Sequence, residues 1–159
     1  MQKFFFAALV SFSFFMANAE SASANLDGKW TGWGAWNYDG TDIECPAMSL
    51  AFSEDAQTLQ RIRGFFDCHI VTMEIPDLEF QKEGQKLFLE GSPVGSWSDS
   101  DYSWTEVYNE KFIIKVSISV QGQSMTYHEV WKSKEDEILY DIQGRLFRSE
   151  ESSANSTDM

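Results

Sequence analysis

The most informative stretch of this 159-residue chain is Leu26-Asp27-Gly28-Lys29-Trp30-Thr31-Gly32-Trp33-Gly34-Ala35-Trp36. Successive side chains of an extended strand point to opposite faces. One face of such a strand carries Trp30, Gly32, Gly34 and Trp36. Aromatic rings at its ends and glycines between them leave space beside the backbone, so we predict a strand that forms one wall of a closed interior.

Short segments with alternating polarity, bounded by turn residues, recur along the chain, and no long window shows a helical stripe of apolar side chains. The predicted strands cover 28–38, 43–53, 59–71, 77–82, 86–91, 102–108, 112–120, 123–133 and 138–148. Regular short strands without helices are typical of all-β barrels and sandwiches. We predict an all-β fold, an up-and-down antiparallel β-barrel of about eight to ten strands.

The motif Gly28-Lys29-Trp30, at the start of the first predicted strand, resembles the opening of the calycin superfamily of lipocalins, avidins and nitrobindin-like barrels. The longer pattern Gly-x-Trp-x-Gly-x-Gly is most similar to the nitrobindin-like and bacterial lipocalin-like members. The resemblance covers the first strand closely and the rest as a strand count. It implies that Trp30 closes one barrel end under an arginine of the last strand, with Arg148 favoured over the outward-facing Arg145. The predicted structural set is Trp30, Gly32, Gly34 and Arg148.

The two ends of the chain differ in composition from its centre. Residues 1–19 have the charged start, apolar run and small-residue cleavage site of a secretory signal. The apolar run over 4–16 is too short to span a bilayer. We therefore expect an exported protein, periplasmic or secreted, with a lipocalin-like barrel over 20–149. Residues 150–159 are rich in serine and acid and are predicted to be a disordered tail.

The chain is strongly acidic, with a formal net charge of −13. Phosphate backbones and anionic lipid surfaces repel such a protein. Nucleic acid is therefore not expected as a partner, and no segment outside the signal has the length and apolarity of a membrane span.

Cys45 and Cys68 are the two cysteines of the chain. An even number of cysteines in an exported protein indicates a disulfide, and two thiols are too few for a structural zinc site. A hairpin turn at Asp39-Gly40 pairs Gly34 with Cys45, and a second turn at Ala56-Gln57 places Cys45 opposite Cys68.

This register has one awkward consequence, because it turns Met48, Leu50 and Phe52 to the outside of the barrel. A partner or the tail could cover them, or a β-bulge near Pro46 or Gly64 could shift the register.

The later hairpins are more regular. A loop at Glu83-Gly84 faces Phe80 with Leu87, and turns at 122–123 and 135–136 give three consecutive strands one shared inward face. The strand over 102–108 stays ambiguous, because a three-residue loop after it turns its aromatic residues inward and a two-residue loop turns them outward.

The inward face supplies the candidate ligand contacts, which are Trp36, Met125, Tyr127, Glu129 and Tyr140. Glu129 is the polar anchor of this set, because a buried carboxylate needs a partner or a raised pKa. The alternative is that Glu129 lies solvated at the barrel mouth. Small residues on the opposite wall, Gly32, Gly34, Ala47, Ser49 and Gly64, either leave a ligand cavity or let the walls pack together.

Two further features invite a functional interpretation. The segment Gln123–His128 looks similar to the one that carries the haem-binding histidine of nitrobindin-like barrels, but parity places His128 on the polar outer face, so haem binding is less favoured. The stretch Gly91–Asp101 is predicted to be a long loop that could act as a lid, and its aspartates are too few for a calcium site. We predict no metal and no cofactor.

We expect a non-enzymatic barrel that binds a small hydrophobic or amphipathic molecule, because no catalytic motif is present. The first alternative is a protein-binding barrel, since periplasmic protease inhibitors have a similar opening followed by a disulfide. Its contact surface would be Trp33, Met48, Leu50, Phe52 and Phe65. The second alternative is a structural envelope component without a pocket.

Overall fold

The structure is a computed structural model that describes residues 25–149, and every strand pairing in it is antiparallel. The strands are β1 (Gly28–Tyr38), β2 (Thr41–Glu54), β3 (Thr58–Asp67), β4 (Thr72–Ile75), β5 (Leu78–Glu83), β6 (Lys86–Leu89), β7 (Ser92–Trp97), β8 (Asp101–Val107), β9 (Phe112–Gln121), β10 (Ser124–Ser133) and β11 (Ile138–Arg148). The predicted all-β barrel is confirmed. The predicted signal over 1–19 and tail over 150–159 lie outside the described residues.

The strands close into a ring in which β1 pairs with both β2 and β11. The edge of β3 that does not pair with β2 is divided between two strands. Its first part, Thr58–Arg61, pairs with β5 and closes the ring, and its second part, Gly64–Asp67, pairs with β4. Ten strands therefore form the ring, within the predicted range, and β4 is an additional strand on its edge. Asp39 and Gly40 adopt positive φ angles of 50° and 74°, as the tight turn between β1 and β2 requires.

Two of the predicted segments are wrong. The segment predicted as one strand over 59–71 breaks after Asp67, and the chain turns before β4. The stretch Gly91–Asp101 is not a lid, because β7 occupies Ser92–Trp97 and pairs with both β6 and β8. Serine, proline and glycine conceal this strand in the sequence, since they are typical of loops.

A β-bulge in β2 corrects the predicted register. Gly34 pairs with Cys45 as predicted, but Gly32 pairs with Met48, so β2 contains an extra residue beside Pro46. Proline has no backbone N–H to continue the ladder, which makes this a natural place for the irregularity. The predicted register beyond Pro46 is therefore wrong, and the alternative of a bulge there is confirmed. As a result, Met48, Leu50 and Phe52 are buried in the core.

The registers of β9, β10 and β11 agree with the prediction from Met125 to Trp131, and the β10–β11 register shifts by one residue beside the turn, where Lys132 pairs with Ile138. Tyr127 lies between Ile118 and Gly144, and all three share the inward face. β8 follows the three-residue-loop alternative, so Tyr102 and Trp104 are buried inside. In the β5–β6 hairpin the turn is shifted by one residue, because Glu83 pairs with Lys86. Lys82 therefore faces Leu87, and the predicted pairing of Phe80 with Leu87 is wrong.

One end of the barrel is closed by Trp30. Its side chain is fully buried, and its indole N–H donates a hydrogen bond to the Leu26 carbonyl at 2.8 Å. The guanidinium of Arg148 lies 4.4 Å from the centre of the Trp30 ring and donates to the carbonyls of Asn25 and Asp27. Arg148 and Trp30 therefore pack against each other at this end of the barrel. We call this the closed end.

The glycine-rich wall does not border an empty space. A Cβ atom on Gly34 would lie 2.0 Å from the Gln143 carbonyl oxygen and 2.5 Å from the Met48 sulfur, and Gly144 also contacts Met48. The glycines therefore allow β1 and β11 to approach each other and make room for Met48. Of the two alternatives for these small residues, close packing of the walls is supported and a ligand cavity beside them is not, because the bulge turns Met48 inward and Ala47 outward.

Candidate functional site

The opposite end of the barrel contains a cavity of about 500 Å³, which we call the mouth cavity. It lies among the ends of β1, β8, β9, β10 and β11 on one side and the β3–β4 edge on the other. Its aromatic lining consists of Trp36, Tyr108, Phe112, Trp131 and Tyr140. Its aliphatic lining consists of Val71, Met73, Ile75, Ile114 and Leu139. A volume of this size and an apolar lining with few polar groups are typical of small-molecule sites.

The aromatic side chains form a continuous wall because cross-strand pairing places their strands in register. Trp131 pairs with Tyr140, and their ring centres are 5.6 Å apart. The ring centres of Trp36 and Tyr140 are 5.5 Å apart, and those of Tyr108 and Trp131 are 4.8 Å apart. The Trp36 indole N–H is buried and has no hydrogen-bond acceptor among residues 25–149. The wall therefore combines apolar surface with an unused donor.

Glu129 is the carboxyl group at the base of the mouth cavity, and only 2% of its surface is exposed. It accepts hydrogen bonds from the Tyr127 hydroxyl and the Trp131 indole N–H. Burial raises the pKa of Glu129, and these hydrogen bonds oppose that rise by stabilising the charged form. The alternative that Glu129 lies solvated at the barrel mouth is therefore wrong, since its side chain is buried inside the barrel.

A buried ion pair lies beside Glu129 and was not predicted from the sequence. Arg61 donates to both carboxylate oxygens of Glu106, at 2.9 and 3.3 Å, and its Nε donates to the Pro76 carbonyl at 2.9 Å. The Trp104 indole N–H donates to Glu106 at 2.7 Å. A second register shift, between Ala51 and Phe52, turns Arg61 inward, and alternation alone gives no sign of it.

The five predicted ligand contacts separate into two groups. Trp36, Glu129 and Tyr140 line the mouth cavity together. Met125 and Tyr127 are fully buried below it and are not among its lining residues. Tyr127 still contributes indirectly, because its hydroxyl holds Glu129 in place. Burial and the neighbouring Glu129 raise the pKa of Tyr127 well above its usual range, so this hydroxyl keeps its proton.

Neither histidine points into the barrel. His128 pairs with Gln143 on the outer face, and its Nε2 lies 3.0 Å from the Asp141 carboxylate. His69 lies in the exposed turn after β3. Within the described part of the chain, no group of three or more potential ligand residues is arranged to hold a metal ion.

The contact surface expected for a protein partner is not present as predicted. Trp33 is 54% exposed and Phe65 is also exposed, but Met48, Leu50 and Phe52 are buried. The physical reason is the bulge at Pro46, which reverses the direction of the side chains that follow it in β2.

A second buried polar cluster lies at the closed end. Glu54 binds Lys82 at 2.7 Å, accepts a hydrogen bond from the Tyr102 hydroxyl at 2.9 Å, and accepts the Leu26 backbone N–H at 2.7 Å. Lys82 also lies 3.8 Å from the centre of the Trp97 ring. Burial and the charge of Glu54 raise the pKa of Tyr102. These groups satisfy one another, which indicates a structural role.

The described segment contains no helix that is long and apolar enough to cross a membrane. The predicted disulfide between Cys45 and Cys68 is confirmed, and both cysteines are buried. Disulfides persist in oxidising compartments, so this bond is compatible with an extracellular protein.

No family model matches the sequence, and no curated protein is significantly similar to it. Among solved structures, the barrel is similar to a protein of unknown function of the DUF3598 family from Nostoc punctiforme, with a TM-score of 0.56 and 13% sequence identity. The alignment covers 78% of this chain and 47% of that one, so this chain spans about half the length of the protein it resembles. At this identity the similarity concerns the fold alone.

Proposed function

We propose that this protein is a non-enzymatic, exported barrel that binds a small amphipathic molecule in the mouth cavity. The observation that carries the proposal is a cavity of about 500 Å³ in which an aromatic wall lies above a buried carboxyl group. Such a site buries the apolar part of a ligand and offers a few oriented polar groups to the rest. The opening motif Gly28-Lys29-Trp30 supports the proposal independently, through its resemblance to ligand-binding calycins.

Apolar contact is expected to supply most of the affinity. Burial contributes roughly 25 cal/mol per Å² of apolar surface, before the cost of immobilising the ligand is subtracted. The polar groups would then orient the ligand. The Trp36 N–H can donate to a ligand oxygen, and Glu129 retains free lone pairs because each of its oxygens accepts one protein hydrogen bond.

The first experiment is native mass spectrometry of the protein purified from its own host, compared with the same sample after denaturation. A non-covalent mass that is lost on denaturation would support the proposal and give the ligand class. A bare, disulfide-bonded chain would favour the alternative of a structural envelope component.

A titration with the neutral apolar dye N-phenyl-1-naphthylamine then locates the site. We expect Tyr140→Ala to weaken dye binding by roughly tenfold, because it removes a large part of the aromatic wall. Trp33→Ala is the matched control, since Trp33 is an exposed aromatic residue on the outer surface of the same barrel. Equal losses in both variants, or none in either, would contradict binding in the mouth cavity.

A further inference from the structure

We infer that the ligand of the mouth cavity is cationic, an organic ammonium group joined to an apolar chain, with its charge lying against Glu129 and the rings of Trp36, Trp131 and Tyr140. This inference rests on the proposed function and adds the chemical class of the ligand. The charges that line the cavity, the arrangement of the rings and the net charge of the chain support it separately.

The first argument is the balance of charge at the cavity. Among the described residues that line it, Glu74, Glu106 and Glu129 carry carboxyl groups and Arg61 carries the positive charge. Arg61 is already neutralised by Glu106 through two hydrogen bonds, and its Nε is occupied by a backbone carbonyl. Its positive charge is therefore not available to an anionic ligand.

Glu129 is the buried carboxyl group of this lining that has no counter-ion among residues 25–149. Its partners among residues 25–149 are a hydroxyl and an indole, and none of the ion pairs within that range involves it. Neutral donors stabilise a buried carboxylate only in part, and a cation within hydrogen-bond reach supplies the missing charge. An ammonium group is a donor without acceptors and suits the free lone pairs of this carboxylate.

The second argument is the shape of the aromatic wall. The ring plane of Tyr140 is inclined by 65° to that of Trp36 and by 66° to that of Trp131. Rings inclined this steeply pack edge to face rather than in a parallel stack. A cation is attracted to the faces of tryptophan and tyrosine rings, most strongly to tryptophan, and clusters of aromatic rings are used to bind organic ammonium groups.

The third argument is the field of the whole molecule. A formal net charge of −13 attracts small cations and repels small anions during approach. A fatty-acid-like ligand would have to bring a second carboxylate toward Glu129, which like-charge repulsion disfavours.

The test compares three probes that share an eight-carbon chain and differ in charge: octylammonium, 1-octanol and octanoate. Displacement of the neutral dye from the full-length protein at neutral pH gives the three affinities. We expect octylammonium to bind at least about tenfold more tightly than octanol, because the charge adds a carboxylate contact and cation–π attraction. Octanoate should bind most weakly.

Glu129→Gln identifies the responsible group. The glutamine can keep both hydrogen bonds, because its carbonyl can accept from Trp131 while its amide donates to the Tyr127 hydroxyl, so the variant should remain folded. We expect it to lose the preference for octylammonium over octanol. Glu110→Gln, on the exposed β8–β9 loop at the same end of the barrel, is the matched control for general charge and should keep that preference.

The outcomes separate the inference from the proposed function. If the neutral dye and octanol bind but octylammonium has no advantage, the cationic assignment is overturned and the binding function stands. If Glu110→Gln reduces the preference as much as Glu129→Gln, surface charge explains it and the role given to Glu129 is overturned. If none of the probes binds, the proposed function fails and the inference fails with it.

Discussion

The buried pair of Arg61 and Glu106 gives the sharpest prediction about stability. Arg61 is 1% exposed. In Arg61→Met, the Glu106 carboxylate would keep one hydrogen-bond donor among the described residues, the indole N–H of Trp104. Breaking one side of a buried ion pair costs about 3–5 kcal/mol. The Glu106 side chain is 13% exposed and can recover some hydration, so we expect a cost near the lower limit, about 3 kcal/mol.

Urea unfolding followed by tryptophan fluorescence measures this cost, and a thermal melt should show a midpoint lower by roughly 10 °C for a domain of this size. The double variant Arg61→Met with Glu106→Gln removes the uncompensated charge as well. It should be more stable than the sum of the single effects implies, by at least about 1.5 kcal/mol. Arg63→Met, on the exposed face of the same strand, is the control and should change stability by less than about 0.5 kcal/mol.

Two results would refute this reasoning. A loss below about 1 kcal/mol in Arg61→Met would mean that Glu106 is as well solvated as a surface carboxylate. Strictly additive single effects in the double variant would mean that the two side chains do not act as a pair.

Three further predictions concern the rest of the barrel. Replacing Cys45 and Cys68 by serine should lower the free energy of unfolding by about 2–4 kcal/mol, and reduction of the wild type should have the same effect in a thermal melt; no shift would mean that the bond does not constrain the chain. Arg148→Met should destabilise by about 1–2 kcal/mol, since it removes the cation above Trp30 and its hydrogen bonds to the backbone, and Arg148→Lys should recover only part of this in urea melts. Burial raises the pKa of Glu129 above 4.5, so the folded state binds the proton of this carboxyl group more tightly than the unfolded chain does. The wild type should therefore lose stability relative to Glu129→Gln as the pH rises from below 4.5 through the folded-state pKa. Urea midpoints compared between roughly pH 4 and 8 check the sign, and a pH-independent difference would contradict it.

The inward face of β9, β10 and β11 was predictable from the sequence because short turns connect these strands. Once the turns at 122–123 and 135–136 are placed, alternation fixes every later side chain. Glu129 could therefore be assigned to the interior from local information. Its placement at the base of the mouth cavity could not, since the opposite wall comes from distant strands.

The errors about which side chains of β2 and β3 point inward arose where a strand contains an extra residue. One bulge beside Pro46 reversed the direction of Met48 and the residues that follow it, which made buried core residues look like an exposed contact surface. A similar shift in the β2–β3 hairpin hid the inward direction of Arg61. Its partner Glu106 is 45 residues away, and no local pattern connects two groups at that separation.

The contact between Arg148 and Asn25 has a practical consequence for engineering. It brings the two ends of the described chain together at the closed end, where the Ser149 backbone N–H also donates to the Lys29 carbonyl at 2.8 Å. A short linker could join these ends, and a new opening at the exposed Glu90-Gly91 turn would give a circular permutant. Either end of the described segment could equally serve for immobilisation on a sensor surface, with the mouth cavity turned toward the solution.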